Sequence, residues 1–313
     1  MQASARQPFP ETFEDFIEWF PTEEACLSYV GRVRWPDGCV CPSCQGKEFW
    51  QTRLGLYHCK ACSRQTSLTA GTVFEDSRKP LRVWFHVMWM MMAQKTGISA
   101  RNICDTYGFG SYQTAWGWLQ KLRSVMVVAG RDPLSGRVEV DEAYVGGQKQ
   151  GIRGRGADGK ALVFVGVEVG PQHLGRVRLR CVPSADGASA LAFARDYVAP
   201  GSVVVTDGLS IYGGLREAGF SHEPRTVSAD GGMLDHAHLV ISLLKRWLVG
   251  TYQGAVTPAH LQGYLDEFAF RFNRRLSTHR GKLFYRLMQQ AVQMRPKPIK
   301  GLYAGKPPQV VVT

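Results

Sequence analysis

No apolar run in this chain approaches the length of a membrane span. The longest, VWFHVMWMMMA at residues 83–93, is short and interrupted by His86, which marks a core helix instead. The opening MQASARQPFPETF lacks the apolar centre of a secretory signal, so a cytoplasmic protein is expected. Disulfides are not expected in that compartment, and the eight cysteines are better explained by metal. Acidic side chains are scarce towards the C-terminus, where residues 242–313 hold twelve Lys/Arg against only Asp266 and Glu267. With a formal charge of +12 overall, this imbalance calls for an anionic partner, nucleic acid ahead of membrane; the plainer reading is a soluble basic surface. No internal repeat is visible.

What is present is enough for two or three folded units: 313 residues, 44% hydrophobic, with eight Trp. Residues 1–35 read as two short acidic helices, capped by Thr12 and Thr22 with Pro21 as the stop between them. Residues 36–74 are turn-rich with short alternating runs, and residues 77–128 are mainly helical. AGRDPLSG at residues 129–136 is a linker. Strand patterns follow: RVEVDEAYV, ALVFVGVEV and GRVRLRCV, a helix ASALAFARDYV, the strand SVVVTDG, a short strand EPRTVSADG, then helix to about residue 294. Residues 295–313 form a basic Pro/Gly/Lys tail. A three-strand meander leading into parallel strands separated by helices is the order of an RNase H-like mixed α/β sheet, here placed at residues 137–294.

Cys41-Pro-Ser-Cys44 and Cys59-Lys-Ala-Cys62 are two C-x2-C turns separated by fourteen residues. Each turn aims two thiolates at one ion, so the pair completes a tetrahedral zinc site and predicts a zinc ribbon whose metal is structural. A redox C-x2-C would need one pair at a helix N-terminus. Cys39 is a possible substitute ligand, whereas Cys26, Cys104 and Cys181 sit in apolar contexts and read as core.

In KTGISARNICDTYGFGSYQTAWGWLQKLR, Ser99 caps a short helix, Gly108-Phe-Gly110 turns the chain and Ser111 caps a second helix. Ala115, Trp118, Leu119 and Leu122 share one face of that helix, leaving Gln113, Thr114, Gln120 and Lys121 outward. This is the shape of a helix-turn-helix that reads a major groove, or of a plain packed hairpin.

Two aspartates close apolar strand-like runs, Asp141 in RVEVDEAYVGG and Asp207 in SVVVTDGLSIYGG. A carboxylate ending a buried strand loses hydration unless something pairs with it, and two converging strand ends suit divalent metal. Glu139 and Glu142 flank Asp141 and are read as lying on the opposite face, as surface or supporting groups. The segment GGMLDHAHLVISLLKRWLVGTYQGAV offers Asp235, His236 and His238 as further ligands. His238 and Lys245, seven residues apart, share a helical face.

The motifs WPDGCVCPSC, YHCKAC, KTGISA, GSYQTAWGWLQKLR, VEVDEAYVGG, VVVTDG, LLKRWLVGTYQGAV and HLQGYLDEFAFRFNRR, in that order, resemble a bacterial insertion-sequence transposase of the DDE type. The branch is the ISXO2-like one, which joins an N-terminal zinc ribbon to an RNase H-like catalytic domain; the likeness spans roughly residues 10–290. The resemblance implies Asp141 and Asp207 as metal ligands, His238 where a DDE enzyme has Glu, and Lys245 as the basic residue behind it. It also implies two Mg2+ or Mn2+ ions, cleavage at element ends, and strand transfer of the 3′-OH into target DNA. Asp235 is the carboxylate competitor of His238. Arg246, Arg271, Asn273, Arg274 and Arg275, with Lys149, Arg153, Arg155 and Lys160 on the Gly-rich loop and Gln113 on the second helix, are the DNA-binding candidates; the plainer reading of the Arg271–Arg275 run and of the loop is a solvated surface. A homo-oligomer, at least a dimer, is expected on DNA, with nucleoid association when bound. The competing function is a catalytically silent zinc-ribbon DNA-binding regulator.

Overall fold

The computed structural model describes residues 8–53, 55–128, 130–146, 160–171, 173–225, 234–253 and 256–295. The chain divides into two compact units, Met1–Met126 with Ser277–Gly301, and Val127–Leu276 with Leu302–Thr313.

The first unit opens with α1 (Phe13–Trp19) and α2 (Glu23–Arg34). Thr12 and Asp15 form a reciprocal capping box at α1, and Thr22 accepts from the Ala25 amide at α2, as the sequence predicts. A three-stranded antiparallel ribbon follows, β1 (Phe49–Gln51), β2 (Tyr57–Cys59) and β3 (Gln65–Thr66). Then come α3 (Leu81–Ala93), α4 (Ala100–Tyr107) and α5 (Tyr112–Ser124). Pro80 gives α3 no side-chain cap; instead the Glu23 carboxylate accepts from the Leu81 and Arg82 amides at 2.7 and 3.0 Å. α4 is capped by Ser99 and ends at the left-handed Gly108, whereas Ser111 starts α5 without a side-chain bond. Two outward positions are corrected: Gln120 is only 3% exposed and Lys121 is half-buried, because burial runs around α5 from Ala115 onward. Gln113 and Thr114, in its first turn, remain exposed.

The second unit carries the mixed sheet. β4 (Arg137–Val145), β5 (Ala161–Val169) and β6 (Leu174–Val182) form the antiparallel meander. After α6 (Gly187–Tyr197), β7 (Val203–Thr206) runs parallel to β4, and β8 (Ser221–Pro224) runs parallel to β7. The strand order is β6-β5-β4-β7-β8, the RNase H-like arrangement expected from the element order. Side-chain alternation splits the strands between two cores. Val138, Val140, Leu162 and Phe164 pack with α6 and a 3-10 helix at Ser210–Leu215. Ala143, Val163, Val165 and Val167 pack with α7 (Asp235–Tyr252) and α8 (Pro258–Phe272).

The last described helix, α9 (Arg280–Gln293), packs on α2 and α3 and belongs to the first unit. The sequence reading carries the catalytic domain through to residue 294. The amphipathic pattern of α9 identifies a helix but not which core receives it; Phe284, fully buried against Phe16, Phe20 and Phe85, supplies that answer.

Candidate active site and zinc cluster

The two C-x2-C turns converge in the first unit. Cys41 and Cys62 sulfurs lie 3.5 Å apart, as do those of Cys44 and Cys59, and all four fall within 4.8 Å of one another. Four sulfurs at about 2.3 Å from one tetrahedral zinc stand about 3.8 Å apart, so the donor set fits that ion. The amides of Cys44 and Ser43 point at the Cys41 sulfur and lower its thiol pKa, while the Cys44 thiol, despite the Gly46 amide, is pushed up by the neighbouring Cys62 and Cys59 sulfurs. Cys39 lies outside the cluster, its thiol pushed up by burial. Burial likewise raises the thiols of Cys26, Cys104 and Cys181.

In the second unit the sheet register brings the aspartates together. Glu139 on β4 pairs with Val205 on the parallel β7, so two residues further along each strand Asp141 comes level with Asp207. Asp141 is not a strand end; it is the fifth of the nine residues of β4, which runs on to Val145 paired with β5. It is β7 that stops, at Thr206, leaving a notch beside β4. Gly208, at φ 81°, takes the chain out of that notch through a backbone conformation that suits glycine. Asp207 Oδ1 accepts from the Leu209 amide at 3.1 Å, which fixes its carboxylate in the turn.

A third carboxylate joins them. One oxygen each from Asp141, Glu142 and Asp207 lies within 4.8 Å of the others. Glu142 does emerge from the opposite side of β4, as alternation requires, and there its Oε2 accepts from the Tyr212 hydroxyl at 2.7 Å. Its amide meanwhile donates to Asp141 Oδ1 at 2.8 Å. Asp141 is 7% exposed, and its carboxyl is pushed up to about 6, chiefly by burial, with the charges of Glu142 and Asp207 adding to the effect. The Glu142 amide and His238 act in the other direction. A buried carboxylate crowded by two more is a donor set that fits a divalent cation, which replaces the lost hydration with positive charge.

His238, on the first turn of α7, brings Nε2 to 3.2 Å from Asp141 Oδ2. Asp235, its competitor, is exposed on the same turn. His236 turns instead to Glu139. That glutamate is a correction to the sequence reading: two residues before Asp141, it shares the face of Asp141, because side chains alternate with a period of two. It is 3% exposed and accepts from the His236 and Ala237 amides and from His236 Nδ1, at 3.0, 2.9 and 2.8 Å. The signal available in the sequence was this same spacing, read with the right parity.

The cationic candidates divide by exposure. Lys245 and Arg246 are exposed on α7, and Lys160 is exposed at the start of β5. Three others have work inside the second unit. Arg271 pairs with the fully buried Glu267 at 3.4 Å. Arg274 lies over the Phe270 ring, and Arg275 lies over Phe272 while donating to the carbonyls of Leu174 and Gly175. Lys149, Arg153 and Arg155 fall outside the described residues.

Comparison with known proteins meets this geometry on both units. Residues 133–273 match the ISXO2-like transposase domain, and residues 21–65 match the transposase zinc-ribbon domain. The chain is also similar to the uncharacterized protein in transposable element ISH50 of Halobacterium salinarum, with 29% identity over 282 residues, covering 82% of this chain and 92% of the relative. The chain thus carries a transposase zinc-ribbon domain ahead of an ISXO2-like transposase domain.

Proposed function

We propose that this transposase cuts phosphodiester bonds at the ends of its element and joins the freed 3′-OH to target DNA, using an Asp141–Asp207–His238 set. The single observation that supports this reading most is the gathering of the Asp141, Glu142 and Asp207 carboxylates, with His238 of α7 at 3.2 Å from the buried Asp141. Asp141, Asp207 and His238 would hold the Mg2+ or Mn2+ ions, with Glu142 beside them as a third carboxylate. When bound, such ions lower the pKa of attacking water and stabilise charge on the departing oxygen. The imidazole of His238 suits manganese better than magnesium, since nitrogen ligands favour transition metals.

The chain's own groups orient the reaction. Asp141 and Asp207, fixed by the Glu142 and Leu209 amides, keep the carboxylate cluster rigid. Lys245 and Arg246 face solvent on the helix that carries His238, where they can hold DNA phosphates. In the first step water attacks phosphorus, the bond from phosphorus to the 3′ oxygen breaks, and the element end leaves with a 3′-OH. In the second step that hydroxyl attacks a target phosphate in line and displaces a target 3′-OH, so no nucleophilic Ser or Tyr is required. The ribbon, with the exposed Gln113 and Thr114 on α5, is assigned to DNA binding, and a homo-oligomer would hold two ends together.

The test is strand cleavage on a duplex carrying the element's terminal inverted repeats, with magnesium and with manganese. Asp141→Asn and Asp207→Asn should each lose at least about a thousandfold in rate, on the scale of groups that act in the transition state. His238→Ala should lose most activity, while His238→Glu should keep activity and shift towards magnesium. Cleavage by neither ion would leave DNA binding alone as the function. Normal cleavage by His238→Ala with a dead Asp235→Ala would move the third ligand to Asp235.

A further inference from the structure

We propose that Glu139 is a positioning residue that fixes the N-terminus of α7 to β4 and thereby sets His238 against Asp141. This rests on the Asp–Asp–His reading above and deepens it. The first amides of a helix have no partner inside it, and a short local side chain normally supplies one. α7 begins after Leu234, which has no side chain to do so. The His236 and Ala237 amides donate instead to one oxygen of Glu139, Oε2, while His236 Nδ1 meets the other, Oε1. Both amides therefore close on a carboxylate held in the sheet, 3% exposed, on the same face as Asp141 and two residues before it.

The consequence is geometric. Sheet registry fixes Glu139 and Asp141 relative to each other, about 6.6–6.8 Å apart along the strand. The cap then fixes the first turn of α7 to that same ruler. His238 lies one residue beyond Ala237, so its Nε2 reaches Asp141 Oδ2 at 3.2 Å with little freedom left in the backbone. The chain uses the same device where no catalysis is in view: Glu23 of α2 accepts from the Leu81 and Arg82 amides at the uncapped start of α3. At α7 the device carries a candidate ligand one residue away.

Glu139→Gln keeps an oxygen that can accept both amides, whereas Glu139→Ala keeps none. Two readouts on the full-length, zinc-loaded chain separate the possibilities. The first is hydrogen exchange at the His236 and Ala237 amides, followed by NMR together with the His238 ring nitrogens. Glu139→Ala should accelerate exchange at both amides and move the His238 signals, and Glu139→Gln should restore both. The second is Mn2+ affinity, measured by electron paramagnetic resonance with Mn2+ alone. Glu139→Ala should weaken it about 10- to 100-fold, the range for groups that orient a ligand, with Glu139→Gln within about threefold of wild type. In the His238→Ala background, Glu139→Ala should add almost nothing.

Unchanged amide exchange in Glu139→Ala, or a loss in Glu139→Gln equal to that in Glu139→Ala, overturns the positioning role. A full additional loss of Mn2+ affinity in the His238→Ala background also overturns it, since Glu139 would then act independently of the histidine. If His238→Ala alone leaves Mn2+ affinity intact, the ligand set is wrong. The placement of His238 by Glu139 is then decided by the exchange and ring signals alone.

Discussion

Asp141 is held in surroundings that oppose its own charge. Its carboxyl ionises near 6 in the fold, against an ordinary value of 3.8, chiefly because it is buried. Folding therefore favours the protonated acid: the cost of burying the charge is absent below the unfolded value and grows as pH rises through the folded one. Without added Mg2+ or Mn2+, Asp141→Asn should raise the melting temperature of the zinc-loaded protein at about pH 7.5, and raise it less at about pH 5. Added Mn2+ should stabilise the wild type and leave Asp141→Asn nearly unmoved, because binding to the native state raises stability by mass action. An asparagine variant that melts below the wild type at the higher pH would show that His238 and the Glu142 amide outweigh the burial. The same residue-by-residue view separates the arginines. Arg271, Arg274 and Arg275 look alike in sequence, yet each is engaged by Glu267, Phe270 or β6, leaving Lys245 and Arg246, with Lys160, exposed among the described candidates.

Among the elements, local signals were legible and tertiary ones were not. Thr12, Thr22 and Ser99 cap their helices through residues three positions on, so the pattern lies within one window of sequence. The meander followed by parallel strands was readable from alternation, and with it the approach of Asp141 to Asp207. The carboxylates that cap α3 and α7 come from α2 and β4, and no window contains both partners. Neither does any window show how β6, an edge strand, is covered. Gln262 of α8 accepts from the Cys181 amide at 2.9 Å and donates to the Leu179 carbonyl at 3.2 Å. Asn273, just past α8, pairs with both the amide and the carbonyl of Val177, at 2.7 and 3.2 Å. Side-chain amides thus stand where a further strand would pair, which blunts the edge. Asn273→Leu should leave both Val177 groups without these partners and cost about 1–3 kcal/mol in chemical denaturation. It should also increase light scattering on incubation. A variant as stable and as soluble as wild type would mean that packing of α8, not its amides, protects β6.

For the whole molecule, the order of the chain and the membership of its two units differ. The described first unit is built from both sides of the second, since α9 follows residues 127–276 before returning to α2 and α3. The returning helix is not peripheral: Leu283, Phe284, Leu287 and Met288 are all at most 1% exposed. Side chains of this kind contribute about 1.5–3 kcal/mol each on full burial, and a domain's net stability is only about 5–15 kcal/mol. A fragment of residues 8–126 should therefore fail to fold cooperatively even with zinc, although it contains the whole ribbon and the α4–α5 hairpin. Adding residues 277–295 as a separate peptide should restore a cooperative thermal transition and protection from trypsin, with the peptide bound about one to one. Residues 127–276 should unfold cooperatively by themselves, because β4–β8 and α6–α8 close both cores of that unit. Cooperative unfolding of the 8–126 fragment without the peptide would show that α9 is an accessory to the first unit. The expected dependence instead means that a chain cut after residue 276 loses its ribbon-bearing unit while keeping its carboxylate cluster, so such a cut should abolish specific DNA binding and leave Mn2+ binding in place.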